Sequence, residues 1–151
     1  NMDKFIKEMD EAMVQLCNYS TIVEKTHRDY GCGLEMSPRE IHLLETIHNH
    51  PRKNASELAR KNGLLKGTFS KVTKNMEDMN LIEKYQDNIN RKQIYYRLTE
   101  LGMKAYEGHY KFHEKMSEKT YEYFSHYSKN EQKVIMEFIE HYTSYLQEYL
   151  K

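Results

Sequence analysis

Two histidines one helical turn apart, His109 and His113, are the first residues in this sequence whose spacing suits chemistry. On a helix that spacing puts both imidazoles on one face, where they can share a metal ion. The chain has eight histidines, and chance placement alone gives about 0.4 such pairs. Read alone, the pair fits a solvated turn as well as a ligand pair. A second group of residues is cationic. A helix is predicted over about 66–80, with Phe69, Val72, Met76 and Met79 as its apolar stripe. Its other face carries Lys66, Thr68, Ser70, Lys71 and Lys74, and Arg91 and Lys92 follow in a polar stretch between two β-favouring runs. A helix face of hydrogen-bonding groups and cations suits the major groove of double-stranded DNA. A basic ribbon tip suits phosphates or the minor groove. Two short helices and a turn are also merely a compact packing unit, but packing alone does not require a basic tip.

These groups must be positioned by the elements around them. Asn54 and Glu57 have capping-box spacing, so a short helix starts there. Asn62 and Gly63 both tolerate a left-handed backbone and break it. Strands are predicted over 81–85 and 94–98, joined by the polar segment 86–93. Upstream, residues 3 to about 30 read as one long helix with Phe5, Met9, Met13, Leu16, Ser20 and Val23 at helical spacing, ended by Gly31-Cys32-Gly33. Ser37, Pro38 and Glu40 supply a cap, a first-turn proline and a capping-box acid for a second helix reaching about Asn49. Thr99 caps a long helix to about residue 127, and Ser128 with Glu131 starts the last one. The first and last helices carry apolar stripes too narrow for a monomeric core, and a homodimer buries them most simply. Cys17 falls on such a stripe and reads as core. Cys32, between glycines, reads as exposed.

The composition sets limits on function. The chain has 151 residues, long enough for one domain with a real core. Its net charge is zero, but the charge is segregated: residues 52–97 hold 11 Lys+Arg and 5 Asp+Glu, and the rest holds 12 and 18. The half with the cationic helix is therefore basic, and nucleic acid stays in view as a partner. Two cysteines are too few for a disulfide framework. No apolar run reaches membrane length and no segment looks like a leader, so the expectation is a cytoplasmic protein without a membrane partner.

The run Glu57-Leu58-Ala59-Arg60, then Gly63-Leu64, Gly67 to Lys71, Met76-Glu77-Asp78, Leu81 to Lys84, Asp87 to Lys92 and Leu98 to Gly102 resembles the MarR family of winged-helix regulators. The resemblance covers nearly the whole chain. It departs at Leu65, where a capping serine is common, and at Asn90, where an acid usually precedes the wing arginine. It implies a mainly α fold with a small β-hairpin wing. The whole chain, 1–151, would be a single domain, with dimerisation helices over about 1–30 and 100–151 flanking a winged helix-turn-helix over about 37–98. It also implies a homodimeric, DNA-binding transcriptional regulator and no enzyme.

Within that family the histidine pair resembles the one in the zinc-responsive repressors of zinc uptake, the AdcR/ZitR type. Laid on this sequence, their main site falls on Glu24, His42, His109 and His113, a plausible tetrahedral zinc set. The resemblance implies zinc as co-repressor at zinc-uptake genes. In the same proteins a second site uses a cysteine after the first helix, for which Cys32 is the nearest residue, but Ile41 and Gly108 stand where two further ligands would be. Two other readings remain: a MarR-type regulator answering to an aromatic or lipidic small molecule, and a zinc enzyme. A four-ligand closed site with no evident general base disfavours the enzyme.

Overall fold

The computed structural model describes residues 2–151 of the chain; Asn1, with which the first expected helical region begins, lies outside them. In order, the elements are α1 (Met2–Glu24), β1 (Arg28–Asp29), β2 (Glu35–Met36), α2 (Pro38–Asn49), α3 (Ala55–Lys61), α4 (Lys66–Asp78), β3 (Ile82–Tyr85), β4 (Tyr95–Leu98), α5 (Glu100–Phe124) and α6 (Lys129–Glu148). The fold is mainly α with a small antiparallel hairpin, β3–β4, in the register Ile82↔Leu98 to Tyr85↔Tyr95. Two compact units divide within α5, one ending at Phe112 and the other starting at His113.

Helix starts follow local chemistry. The capping boxes of Ser37 with Glu40, Asn54 with Glu57 and Ser128 with Glu131 are all formed. Each satisfies two backbone donors that a helix start otherwise leaves to water. Leu65 stands at the start of α4 without a side-chain cap. Thr99 Oγ1 accepts the N–H of Gly102 at 3.0 Å and so caps α5.

The first helix ends earlier than its apolar spacing predicts, at Glu24 and not near residue 30. Arg28–Asp29 instead pairs with Glu35–Met36 as a second small hairpin. Asp29 Oδ1 accepts the N–H groups of Gly31, Cys32 and Gly33 at 2.7, 3.0 and 3.1 Å, so one carboxylate organises the whole turn. Gly31 and Gly33 have φ of 105° and 83°, which a side chain would strain. Past Asn62, whose φ is −96°, only Gly63 adopts the left-handed conformation at the α3 break. The recognition-helix candidate α4 stops at Asp78, and Asn80 turns left-handed with φ 59°.

The core lies in the first unit. Ile41, Leu43, Leu44 and Ile47 of α2 pack with Leu58 of α3, Phe69 and Met76 of α4, Leu81, Ile82 and Tyr96 of the hairpin, and Ala105 of α5. Burying one such side chain fully contributes about 1.5–3 kcal/mol. Met76 and Phe69 of the expected α4 stripe are buried, and Thr73, not an apolar residue, shares that face, with its hydroxyl bonded to the Phe69 carbonyl at 2.9 Å. Outside this core the helices are amphipathic and open. Phe5, Leu16 and Val23 of α1 are exposed, as are Val134, Phe138, Ile139 and Leu146 of α6. Cys17, expected in a core, is exposed with its α1 neighbours, because among the described residues α1 contributes none to the core cluster. Cys32 is half-buried and packs on the core, with Sγ 3.6 Å from the Leu34 carbonyl oxygen, so it is not the open thiol its glycine neighbours suggest.

Candidate metal centre and nucleic-acid interface

Helix α2 places His42 on its exposed side, because Ile41, Leu43 and Leu44 are fully buried around it. Helix α5 packs its N-terminal half on the winged lobe and buries His109, which is only 2% exposed. The close approach depends on two glycines. A Cβ on Gly102 would lie 2.1 Å from the Leu81 carbonyl oxygen, and one on Gly108 would lie 1.5 Å from that of Tyr30. Both neighbours are backbone and cannot swing aside. Gly108, which cannot be a side-chain ligand, therefore lets α5 seat against the β1–β2 turn. Gly108→Ala is expected to cost about 1–3 kcal/mol through forced backbone displacement, read as a lower midpoint in thermal or urea unfolding.

His42 and His109 face each other with ring centroids 5.5 Å apart and planes at 64°. His113 follows His109 by one turn along the unbroken helix α5 and is exposed. Each of the three offers one ring nitrogen, and these nitrogens all lie within 4.8 Å of one another. Tetrahedral zinc with bonds of 2.0–2.1 Å needs its nitrogens about 3.3 Å apart. The set is thus within about 1.5 Å of closure, a gap that side-chain rotation of the two exposed histidines can cover. Neutral imidazoles are suitable donors for such an ion, so the residues fit it.

Glu24, the fourth expected ligand, stands outside this set. Its Oε2 is 3.9 Å from Arg39 Nε, and with Arg39 and His42 it lines a cavity of about 160 Å³. It shares that cavity with His42 but faces a guanidinium. As a ligand it would have to leave Arg39.

A carboxylate that sequence reasoning missed is in contact with the site: Glu45 Oε1 pairs with His109 Nδ1. Glu45 lies three residues after His42 on α2, so the i, i+3 spacing was the available signal. Tyr30 sets its ring edge-on to His109, with centroids 4.9 Å apart. Burial raises the Tyr30 hydroxyl pKa above its usual value; Arg28 opposes this and Glu45 adds to it.

The cationic surface belongs to the first unit. On α4, Lys66, Ser70, Lys71 and Lys74 are exposed and Thr68 is half-buried. Ser70 Oγ donates to the Lys66 carbonyl at 3.1 Å, and Lys74 Nζ lies 3.8 Å from Asp78. Arg91 and Lys92 are exposed at the β3–β4 tip. That tip is fixed at its base. Asp87 Oδ1 accepts the N–H groups of Ile89 and Asn90, and Oδ2 is 2.5 Å from Arg52 Nη2. Arg52, which comes from the α2–α3 link with φ 66°, also stacks over Tyr95 at 5.4 Å. The Asn90 N–H is the largest cause that holds the Asp87 carboxyl below the usual carboxylate range, and Arg52 lowers it further. Helix α2 is tied to α4 as well. Glu40 accepts the Ser37 N–H with one oxygen and the Asn75 amide at 2.8 Å with the other.

Residues 36–94 match the profile of the MarR family. The HTH-type transcriptional regulator PchR of Bacillus subtilis is 32% identical over 107 residues, which are 71% of this chain and 63% of PchR. The chain thus spans less than two thirds of that relative's length. Among solved structures, Streptococcus pneumoniae FabT in complex with DNA superposes with a TM-score of 0.67 at 21% identity, covering 97% of this chain and 99% of FabT. The zinc-responsive MarR family member ZitR of Lactococcus lactis superposes with a TM-score of 0.66 at 16% identity, covering 94% and 99%. At such identities these two likenesses are of fold. Among the described residues, no helix is long and apolar enough to cross a membrane.

Proposed function

We propose that this chain is a zinc-responsive transcriptional repressor of the MarR family, a reading supported by the match of residues 36–94 to that family's profile. In this reading it binds double-stranded operator DNA in the cytoplasm as a homodimer and controls zinc-uptake genes. The observation that carries the zinc reading is the three-histidine cluster, which draws one ligand from α2 and two from α5. His42, His109 and His113 would hold the ion, with Glu24 released from Arg39 as a fourth donor; bound there, it supplies a cross-link between the two helices.

The rest follows from the chain's own bonds. Helix α2 passes its position to α4 through Glu40 and Asn75. Lys66, Thr68, Ser70, Lys71 and Lys74 lie on α4, and Arg91 and Lys92 stand on a wing held by Asp87 and Arg52. A dimer reads two half-sites about 34 Å apart, so a small change in the placement of α4 alters affinity. Fixing α2 against α5 therefore favours one spacing of the recognition helices. By linkage, zinc and DNA strengthen each other's binding by the same factor.

Elemental analysis of the purified protein, with affinity for DNA selected from a random pool measured in zinc and in chelator, tests this reading. Bound zinc and tighter DNA binding in zinc are expected. Equal affinity in both would favour an organic effector. The DNA contacts have their own check. Arg91→Ala is expected to weaken binding across sequences and to reduce the salt slope by about one unit. An unchanged affinity would remove the wing from the interface.

A further inference from the structure

Helix α2 addresses His109 twice. His42 meets the ring at a centroid distance of 5.5 Å, and Glu45, one turn on, pairs with Nδ1. The Glu45 carboxylate is not part of the three-nitrogen set, although it touches one of its members. Its side chain is 28% exposed, whereas that of His109 is 2% exposed, so the contact is made at the edge of the core.

The chemistry of that contact is restrictive. A neutral imidazole has one N–H donor and one lone pair, and an ionised carboxylate only accepts. Paired with Glu45, Nδ1 of a neutral His109 must carry the proton, which leaves the lone pair on Nε2. Ligating histidines are commonly oriented in this way by a carboxylate behind them, which fixes the tautomer and raises the basicity of the ligating nitrogen. Tyr30, edge-on at 4.9 Å, and the burial of His109 leave the ring little room to turn.

We propose that Glu45 is a positioning residue for metal capture, which holds His109 in its Nδ1–H form with Nε2 presented to the ion. This rests on the zinc reading above. His109 is then the preset donor, and His42 and His113, both exposed, are the donors that move.

The test uses the full-length protein and two variants, Glu45→Gln and Glu45→Leu. Zinc affinity is measured by competition with a chromophoric chelator, and the His109 tautomer by ¹⁵N NMR of the metal-free protein. Glu45→Leu is expected to weaken zinc binding about 10–100-fold at unchanged stoichiometry, and to lose the pure Nδ1–H form. Glu45→Gln, which keeps an acceptor but no charge, is expected to fall between. A purely structural role would leave the tautomer of a folded variant unchanged and would overturn the proposal. If Glu45→Leu does not fold, the unsubstituted protein still decides, because an Nε2–H tautomer there overturns the proposal. Zinc affinity lost in His42→Ala but unchanged in a folded Glu45→Leu overturns the role of Glu45 and leaves the zinc reading standing. No zinc bound by the unsubstituted chain overturns both.

Discussion

Replacing His42 or His113 by alanine is expected to abolish the effect of zinc on DNA binding and to leave the zinc-free affinity near that of the unsubstituted protein. Each substitution removes one nitrogen from a set of three. Both side chains are exposed, so the core is untouched, whereas His109 is buried and its replacement would confuse ligand loss with unfolding. Coupling between an effector and DNA is typically about 1–3 kcal/mol, or about 5–150-fold in affinity, and that whole factor is the predicted loss. Operator titrations in zinc and in chelator measure it. A full zinc response in both variants would make these histidines ordinary surface residues and favour an organic effector.

Acid should separate this switch from the wing. Imidazoles coordinate only when neutral, so acid should weaken the zinc effect. Asp87 behaves differently. Its carboxyl pKa is lowered in the folded chain, chiefly by the Asn90 N–H. Its contribution is therefore fully present above the ordinary carboxylate pKa and is lost only as pH falls through the lowered one. The wing anchor should therefore outlast zinc control as pH is lowered.

A charged residue at Phe138, for example Phe138→Asp, is expected to dissociate the protein or unfold it. Phe138, Ile139 and Leu146 share α6 with no buried residue, and α1 exposes Phe5 and Leu16. Apolar faces of this length are a liability on an isolated chain and are best covered by a second copy. Losing one large buried side chain from such an interface costs about 2–5 kcal/mol. Sedimentation should show a homodimer for the unsubstituted chain, and a stable folded monomer at micromolar concentration would contradict this.

What the sequence made legible was local. Ser37 with Glu40, Asn54 with Glu57 and Ser128 with Glu131 are each three residues apart, and each forms the cap its spacing predicts. The β3–β4 hairpin is equally local, because its strands are short and its tip is polar. The end of α1 was not legible. The apolar spacing continues past Glu24, but the chain is captured by pairing between Arg28–Asp29 and Glu35–Met36, and by one aspartate that accepts three N–H groups. Periodicity carries no record of either. The candidate site divides in the same way. His109 and His113 show themselves by spacing, and His42 came only through resemblance. Glu45 has meaning only once α2 lies beside α5. Glu24 is expected on the metal through the same resemblance, and here it faces Arg39, a partner 15 residues away that no helical spacing connects to it.

The anchoring of Asp87 by Arg52 also bears on how such a protein can change over evolution. The salt bridge and the Tyr85↔Tyr95 pair close the hairpin below its tip. Residues 88–93 then hang from a fixed base and contribute nothing to the core. Substitutions and short insertions there leave the fold intact, as they do in other exposed loop tips. Under the proposed function, the strength of the tip's phosphate contacts to DNA can drift while the strands beneath it keep the fold.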